Sequence, residues 1–231
     1  MNVNIKFYKL IILFFILLLF SFFACKTELK TDPCTVKEVI PGNWSMKDYD
    51  KSDSMFKSSN EYRTYKISKN LNLPDIRNSE SNYFRIWYQS PDPQYGWVVD
   101  INPGKMRYKV LSFNVNYKED VDSIYYRIYR ADDEILEKVL LQDIEYNIRR
   151  YNIVNLRFPE SLILIGGGNL FEVETMWEGK YNYELFQSTE FGYEGTKPLL
   201  LFVDFLIEKF NLPPLGANPC IDDRKDPPLY E

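Results

Sequence analysis

The chain contains no histidine, and this absence limits the chemistry that its 231 residues can perform. Without an imidazole it cannot supply a Ser-His-Asp or Cys-His nucleophilic system, and it lacks the usual ligand sets for zinc and non-haem iron. Any catalysis would depend on carboxylates, lysine, tyrosine or an unassisted serine. No catalytic motif is recognisable, so we predict a non-enzymatic protein with no cofactor and no metal site.

Two glutamates are nevertheless the strongest catalytic candidates. Glu172 and Glu174 occupy alternate positions of one predicted strand and therefore share a face of the sheet. In the predicted hairpin they lie opposite Asn182 and Glu184. Paired carboxylates at a suitable separation can hydrolyse glycosides. Acids are also typical of the solvent-facing side of a sheet, and we favour that interpretation.

Three other groups of residues have ordinary structural explanations. Gly166–Gly168 is not followed by Gly-Lys-Ser/Thr and does not match the dinucleotide fingerprint, so it indicates a turn rather than a phosphate site. Asp132 and Asp133 fit the first turn of a helix better than they fit metal ligands. Asp222 and Asp223 likewise fit a charged C-terminal tail better than they fit metal ligands.

Trp87 and Trp97 lie on two predicted neighbouring strands. If those strands pair, both indoles are expected on one side of the sheet. Exposed aromatic rings stack on sugars or anchor protein partners, so the pair is a candidate binding surface. Burial under a helix is the favoured alternative.

The chain has three cysteines, Cys25, Cys34 and Cys220. If Cys25 is modified, the other two have a single pairing available to them. In an exported protein we expect a Cys34–Cys220 disulfide, with two unbridged thiols as the alternative.

The N-terminal residues have the organisation of an export signal. Lys6 and Lys9 precede an uncharged apolar run, Leu10 to Phe23, which is shorter than the ~20 residues a membrane-spanning helix needs. A small residue, Ala24, then precedes Cys25. This region, about the first 25 residues, resembles the signal and lipobox of bacterial lipoproteins. The resemblance implies cleavage after residue 24 and lipidation, including palmitate, at Cys25. An ordinary cleaved signal and a short uncleaved anchor are the alternatives.

Charge and anchoring together restrict the expected partners. After removal of residues 1–24 the chain keeps 26 basic and 33 acidic residues, a net charge of −7. That sign disfavours nucleic acid. Several acyl chains would hold the protein durably in a cell membrane or an outer membrane, facing the periplasm or the exterior. We therefore expect a membrane contact through lipid, a protein partner of unknown identity and, as an alternative, a glycan.

The elements that must position these residues follow from periodicity. We predict a single α+β domain over residues 83–210, an antiparallel meander sheet with two amphipathic helices packed on it. Residues 25–33 are a polar tether, residues 34–82 an irregular segment and residues 211–231 a Pro-rich tail. The predicted strands cover 83–89, 95–101, 107–115, 124–130, 170–177 and 181–187, with a short apolar run at 162–165.

Turn and cap signals complete the prediction. A turn at Glu178-Gly179-Lys180 would place Phe171 and Val173 on the same face as Tyr181 and Tyr183. Asp132 is the predicted N-cap of a helix that runs to about residue 150. Thr196 is the predicted cap of a second helix that runs to about residue 210.

Residues 130–210 also loosely resemble a group of small uncharacterised bacterial proteins. The likeness is in the order of helix, Gly-rich turn, Trp-Glu-Gly-Lys-Tyr hairpin and final helix. It implies no activity, because those proteins have none assigned. Three functions stay open at this stage: a non-catalytic envelope lipoprotein that binds a protein, a glycan-binding lipoprotein and a carboxylate-based hydrolase.

Overall fold

Strands with alternating or continuous apolar character build one antiparallel sheet in the computed structural model. The structure describes residues 34–42, 58–90, 95–118, 123–157, 169–188, 196–217 and 220, all within one unit, Pro33–Glu231. The strands are β1 (Glu38–Gly42), β2 (Tyr83–Gln89), β3 (Tyr95–Asn102), β4 (Arg107–Lys118), β5 (Ser123–Ile135), β6 (Asn169–Trp177) and β7 (Lys180–Ser188). Their order in the sheet is β1-β5-β4-β3-β2-β6-β7, and every pair is antiparallel. The predicted α+β class and the β2-to-β5 meander are confirmed.

Three described helices cover the two faces of this sheet. They are α1 (Ser59–Asn70), α2 (Lys138–Arg150) and α3 (Lys197–Phe210). The helices α2 and α3 pack on the face that carries Phe84, Ile86 and Trp97, and together they form the main hydrophobic core. The helix α1 lies against the opposite face, where its side chains contact Arg85 and Glu172. Both faces of the central strands are therefore covered, which explains why β2 and β3 are buried along almost their whole length.

The described parts of residues 34–82, which are 34–42 and 58–82, are more regular than the sequence pattern predicts. They contain β1, α1 and a short 3-10 turn, Ile76–Asn78. The inward stripe of α1 is polar, because Glu61, Thr64 and Ser68 are its buried positions beside Tyr62. Spacings of three and four residues define one face of a helix. Since that face is polar here, the apolar periodicity that reveals most helices is missing.

The start of α2 differs from the prediction. Asp132, Asp133 and Glu134 continue β5, and α2 begins at Lys138 after Glu137, which makes no side-chain cap hydrogen bond. The acids pair with β4, where Asp132 lies opposite Val110 and Asp133 lies opposite Lys109. The predicted cap at Asp132 is therefore wrong, whereas the end of the helix at residue 150 is confirmed.

The β6–β7 hairpin has a tighter turn than predicted. Trp177 pairs with Lys180, so the turn contains only Glu178 and Gly179, both with positive φ. This is the two-residue geometry favoured between twisted strands. A one-residue change in register moves every side chain of a strand to the other face. As a result Tyr181 and Tyr183 lie on the face of α1, and the predicted cluster with Phe171 and Val173 does not form.

The C-terminal part of the described chain packs against the body. α3 begins after Thr196 and ends at Phe210, as predicted, although the Thr196 side chain makes no cap hydrogen bond. Leu212 is buried in the main core, and the Gly216 N–H donates to the Tyr88 hydroxyl at 2.7 Å.

Three predicted features lie outside the described residues: the strand at residues 162–165, Gly166–Gly168 and Asp222-Asp223. Within the described ranges, no helix is both long and apolar enough to span a bilayer.

Candidate functional site

The two tryptophans do not share a side of the sheet. β2 and β3 pair as predicted, but Trp87 lies opposite Val98 and Trp97 lies opposite Tyr88. Neighbouring positions along a strand point to opposite faces, so Trp97 enters the main core and Trp87 faces α1. Both rings are buried. The prediction that they form one exposed surface is wrong, and the favoured alternative of burial is confirmed.

The two glutamates do share a face, but it is an interior one. Glu172 and Glu174 are 5% and 6% exposed and point towards α1. Their partners across the hairpin are Leu185 and Tyr183, not Asn182 and Glu184. The prediction of a solvent-facing pair is wrong because the polar inward side of α1 covers this part of the sheet.

Glu174 belongs to a charged group centred on Arg85. The Arg85 Nε lies 2.6 Å from Asp100 Oδ1, and its Nη1 lies 3.3 Å from Glu174 Oε2. The same guanidinium donates to Ser68 Oγ at 3.1 Å and to the Pro74 carbonyl at 2.7 Å. One arginine of β2 thus joins β3 and β6 to α1 and the segment after it.

Tyrosine and tryptophan side chains complete the shell of the two carboxylates bound to Arg85. The Tyr83 hydroxyl donates to Asp100 Oδ2 at 2.7 Å. The Trp87 indole N–H donates to Glu174 Oε2 at 2.9 Å, and the Tyr181 hydroxyl lies 3.4 Å from the other oxygen. Each buried carboxylate is therefore hydrogen-bonded, as burial of a charge requires.

Glu172 fastens the first half of α1. Its Oε1 accepts from Arg63 Nη2 at 2.7 Å, and its Oε2 accepts from the Tyr183 hydroxyl at 2.9 Å and from the Thr64 hydroxyl. We call Arg63, Thr64, Ser68, Arg85, Asp100, Glu172 and Glu174 the polar cluster. It holds α1 on the sheet through ionic and hydrogen bonds where most helices use apolar contacts.

Burial and neighbouring charges shift the protonation of this cluster. Burial raises the pKa of Glu172 above its ordinary value, against the opposing effect of Arg63. Burial by itself would lower the pKa of Arg85, but Asp100 and Glu174 raise it above the ordinary value. The pKa of Tyr183 is well above its usual range because the hydroxyl is buried beside Glu172. Arg85 therefore stays charged, and burial favours the protonated form of Glu172.

The arrangement is suited to positioning a helix. The oxygens of Glu172, Glu174 and Asp100 all accept bonds from the protein itself, and α1 lies between Glu172 and the outside. In the part of the chain that the structure describes, no group of three or more acids or cysteines could hold a metal ion. Perturbed ionisable groups mark structural ion-pair networks as well as active sites, and this one has the contacts of a structural network.

The two cysteines predicted to pair belong to the same hydrophobic core. Cys34 and Cys220 are both buried in the main hydrophobic core, although they come from the beginning and the end of the described chain. The bond itself stays a prediction. The predicted lipidation residue, Cys25, lies outside the described residues.

Sequence reasoning missed the polar cluster as a unit. The strand pattern indicates Glu172 and Glu174 but not Arg85, which is buried between Glu174 and Asp100. One signal was available: an arginine and an aspartate occupy inward positions of two strands that are otherwise almost entirely apolar. No protein-family profile matches this chain, and no curated protein matches it either.

Proposed function

We propose that this protein is a non-catalytic lipoprotein of a bacterial cell envelope, anchored through Cys25, and that it acts by binding a protein partner. The observation that carries the proposal is the N-terminal order of Lys6 and Lys9, an uncharged apolar run and Ala24-Cys25. That order is typical of a chain that is exported and then retained by lipid.

The chemistry of the chain supports a binding role over catalysis. The sequence has no histidine, and the two glutamates that favoured hydrolysis are occupied by internal donors. The glycan-binding alternative depended on Trp87 and Trp97 standing together at the surface. Since they are buried on opposite faces, they offer no shared surface on which a sugar could stack.

Surface features support association with another protein. Ile135 and Val139, at the junction of β5 and α2, are 73% and 68% exposed, and Tyr146 on α2 is also exposed. Exposed apolar side chains close together in the chain can contribute to an association surface. Among the described strands, none pairs with the outer edge of β7, which is nine residues long. An open edge of that length can accept an extended peptide.

The anchor is tested by expressing the full chain in bacteria and comparing it with Cys25→Ala. We expect the wild-type protein in the membrane fraction, with an intact mass that corresponds to cleavage before Cys25 and addition of acyl chains. Cys25→Ser serves as a second control, because it keeps the size of the residue but cannot form the thioether. An unmodified N-terminus in the wild-type protein would refute the anchor.

Partner binding is tested by mild crosslinking on intact cells. We expect a discrete adduct that is lost in Ile135→Lys/Val139→Lys and kept in the matched control Leu201→Lys, since Leu201 is an exposed leucine on α3. Equal loss in both variants would indicate general damage, and an unchanged adduct would remove the β5–α2 junction as the binding surface.

A further inference from the structure

The N-terminal cysteine of the described chain enters the body beside β5. The Lys37 N–H, three residues after Cys34, donates to the Ile128 carbonyl at 2.7 Å. Cys34 itself is 8% exposed and belongs to the main core, together with Tyr129 of β5. The chain is therefore fixed at the β5 edge just where this cysteine turns inward.

The C-terminal cysteine reaches the same core by a different route. The Arg130 Nη1 of β5 donates to the carbonyls of Phe210 and Asn211, at 2.7 and 3.1 Å, and so holds the end of α3. The chain then passes to Gly216, whose N–H is bonded to the Tyr88 hydroxyl of β2. Four residues later Cys220 is buried, 6% exposed. We call the described residues 211–217 and 220 the C-terminal strap.

Two tyrosines have both cysteines as neighbours. Burial raises the pKa of the Tyr95 and Tyr129 hydroxyls, and negative charge on Cys34 or Cys220 would raise it further at each of them. The shared neighbours agree with the common core membership of the two cysteines. Two buried cysteines 186 positions apart in sequence thus belong to the one core that lies under α2 and α3.

We propose that Cys34 and Cys220 form an intramolecular disulfide that locks the C-terminal strap over the core. The inference rests on the export component of the proposed function, because an oxidising compartment favours the bond. In the reaction, one cysteine thiolate attacks the disulfide of a thiol–disulfide oxidant and forms a mixed disulfide. The second thiolate then displaces the oxidant, so that one S–S bond forms, two protons leave the cysteines and the oxidant is released as a dithiol.

The bond would stabilise the body by restricting the unfolded chain, since it closes a loop of almost the whole domain. From a typical disulfide contribution and the usual sensitivity of a domain of this size, oxidation should raise Tm by roughly 5–10 °C. The same change should protect the strap from proteases, because residue 220 could no longer lift from the core on its own.

The first test counts thiols on the full-length protein purified from membranes. After denaturation in a polyethylene-glycol maleimide we expect no adduct without reductant and two adducts after reduction. Lipidated Cys25 is a thioether and does not react. Cys34→Ser and Cys220→Ser should each give one adduct without reductant. In both single variants, as in the double variant, oxidation should no longer raise Tm. Two adducts from the unreduced wild-type protein would overturn the proposal.

The disulfide can be tested even if the protein is not exported. If the chain were not exported, three adducts would appear without reductant, because Cys25 would react as well. In that case purified full-length Cys25→Ala is treated with oxidised glutathione. Loss of both remaining thiols within a monomer on a non-reducing gel would support the disulfide independently of export. Retention of both thiols, or their loss into dimers, would refute it.

Discussion

Arg85 offers the sharpest test of how the fold is held together, and we expect Arg85→Met to destabilise it by about 3–5 kcal/mol. The guanidinium is 1% exposed, and its partners Asp100 and Glu174 are 6% and 8% exposed in their side chains. Removing the cation leaves two buried carboxylates without a counter-charge, which is the situation that makes breaking a buried ion pair costly. The measurement is the free energy of unfolding in urea at neutral pH.

A matched control comes from an ion pair of similar length at the surface. The Arg107 Nη2 lies 2.7 Å from Asp133 Oδ1, but the two side chains are 50% and 54% exposed. Arg107→Met should therefore cost at most about 1 kcal/mol, since water and salt screen exposed pairs. If Arg85→Met and Arg107→Met cost the same within error, the polar cluster does not have the role assigned to it.

A compensating variant distinguishes lost charge balance from lost packing. In Arg85→Met/Asp100→Asn/Glu174→Gln the two carboxylates that Arg85 contacts become neutral amides. We expect this variant to recover at least about half of the lost stability, because replacing all members of a buried charged group is much less costly than removing one. No recovery would mean that Arg85 contributes mainly through its hydrogen bonds to Ser68 and Pro74.

The remaining predictions concern single positions. Burial raises the pKa of Glu172 above its unfolded value, so the folded state holds this proton more tightly. The free energy of unfolding should therefore fall as pH rises from about 4.5 through the folded pKa. Glu172→Gln should flatten that slope in urea titrations at several pH values, and an unchanged slope would contradict the assignment. Gly96→Ala should cost about 1–3 kcal/mol, because a Cβ there would lie 2.6 Å from the Tyr88 carbonyl oxygen; a neutral result in thermal unfolding would show that the strand can shift. Trp87→Phe should cost about 1–3 kcal/mol more than Trp97→Phe, since only the Trp87 indole N–H has a hydrogen-bond partner; equal losses would argue against this difference.

Regular periodicity explains which parts of the fold could be predicted from sequence. The strands β2 and β3 were predicted to within a residue at each end, because turn residues bound their apolar runs. The helix α3 was predicted for the same kind of reason: its inner positions Leu199, Phe202 and Leu206 are apolar at helical spacing. Where the hydrophobic pattern and the local turn signals agree, the sequence is sufficient.

The misses have separate physical causes. The helix α1 was missed because its buried positions Thr64 and Ser68 bond to charged groups and are not apolar. The hairpin register was missed because the count of turn residues, two at Glu178-Gly179 and not three, decides the face of the whole of β7. Neither α1 nor the face of β7 can be predicted from the residues of one element alone. The bonding partners of Thr64 and Ser68 lie on β6 and β2, and the face of β7 depends on its pairing with β6.

The same dependence of one element on another explains why the candidate site was only partly predicted. Two of its carboxylates were recognisable from their spacing on β6, but Arg85 and Asp100 become their neighbours only through the pairing of β2 with both β3 and β6. Whether an acid on a strand faces water or the interior depends on what covers that face. Here the cover is α1, which the sequence pattern did not predict.

The anchoring of α1 has a consequence for the order of folding. Arg63 and Thr64 find their acceptor on Glu172, 109 and 108 positions further along the chain. A helix of 12 residues is marginal by itself in water, so this one should gain its stability only after β6 has joined the sheet. Since distant contacts form late and at an entropic cost, substitutions in α1 should accelerate unfolding while leaving the refolding rate almost unchanged.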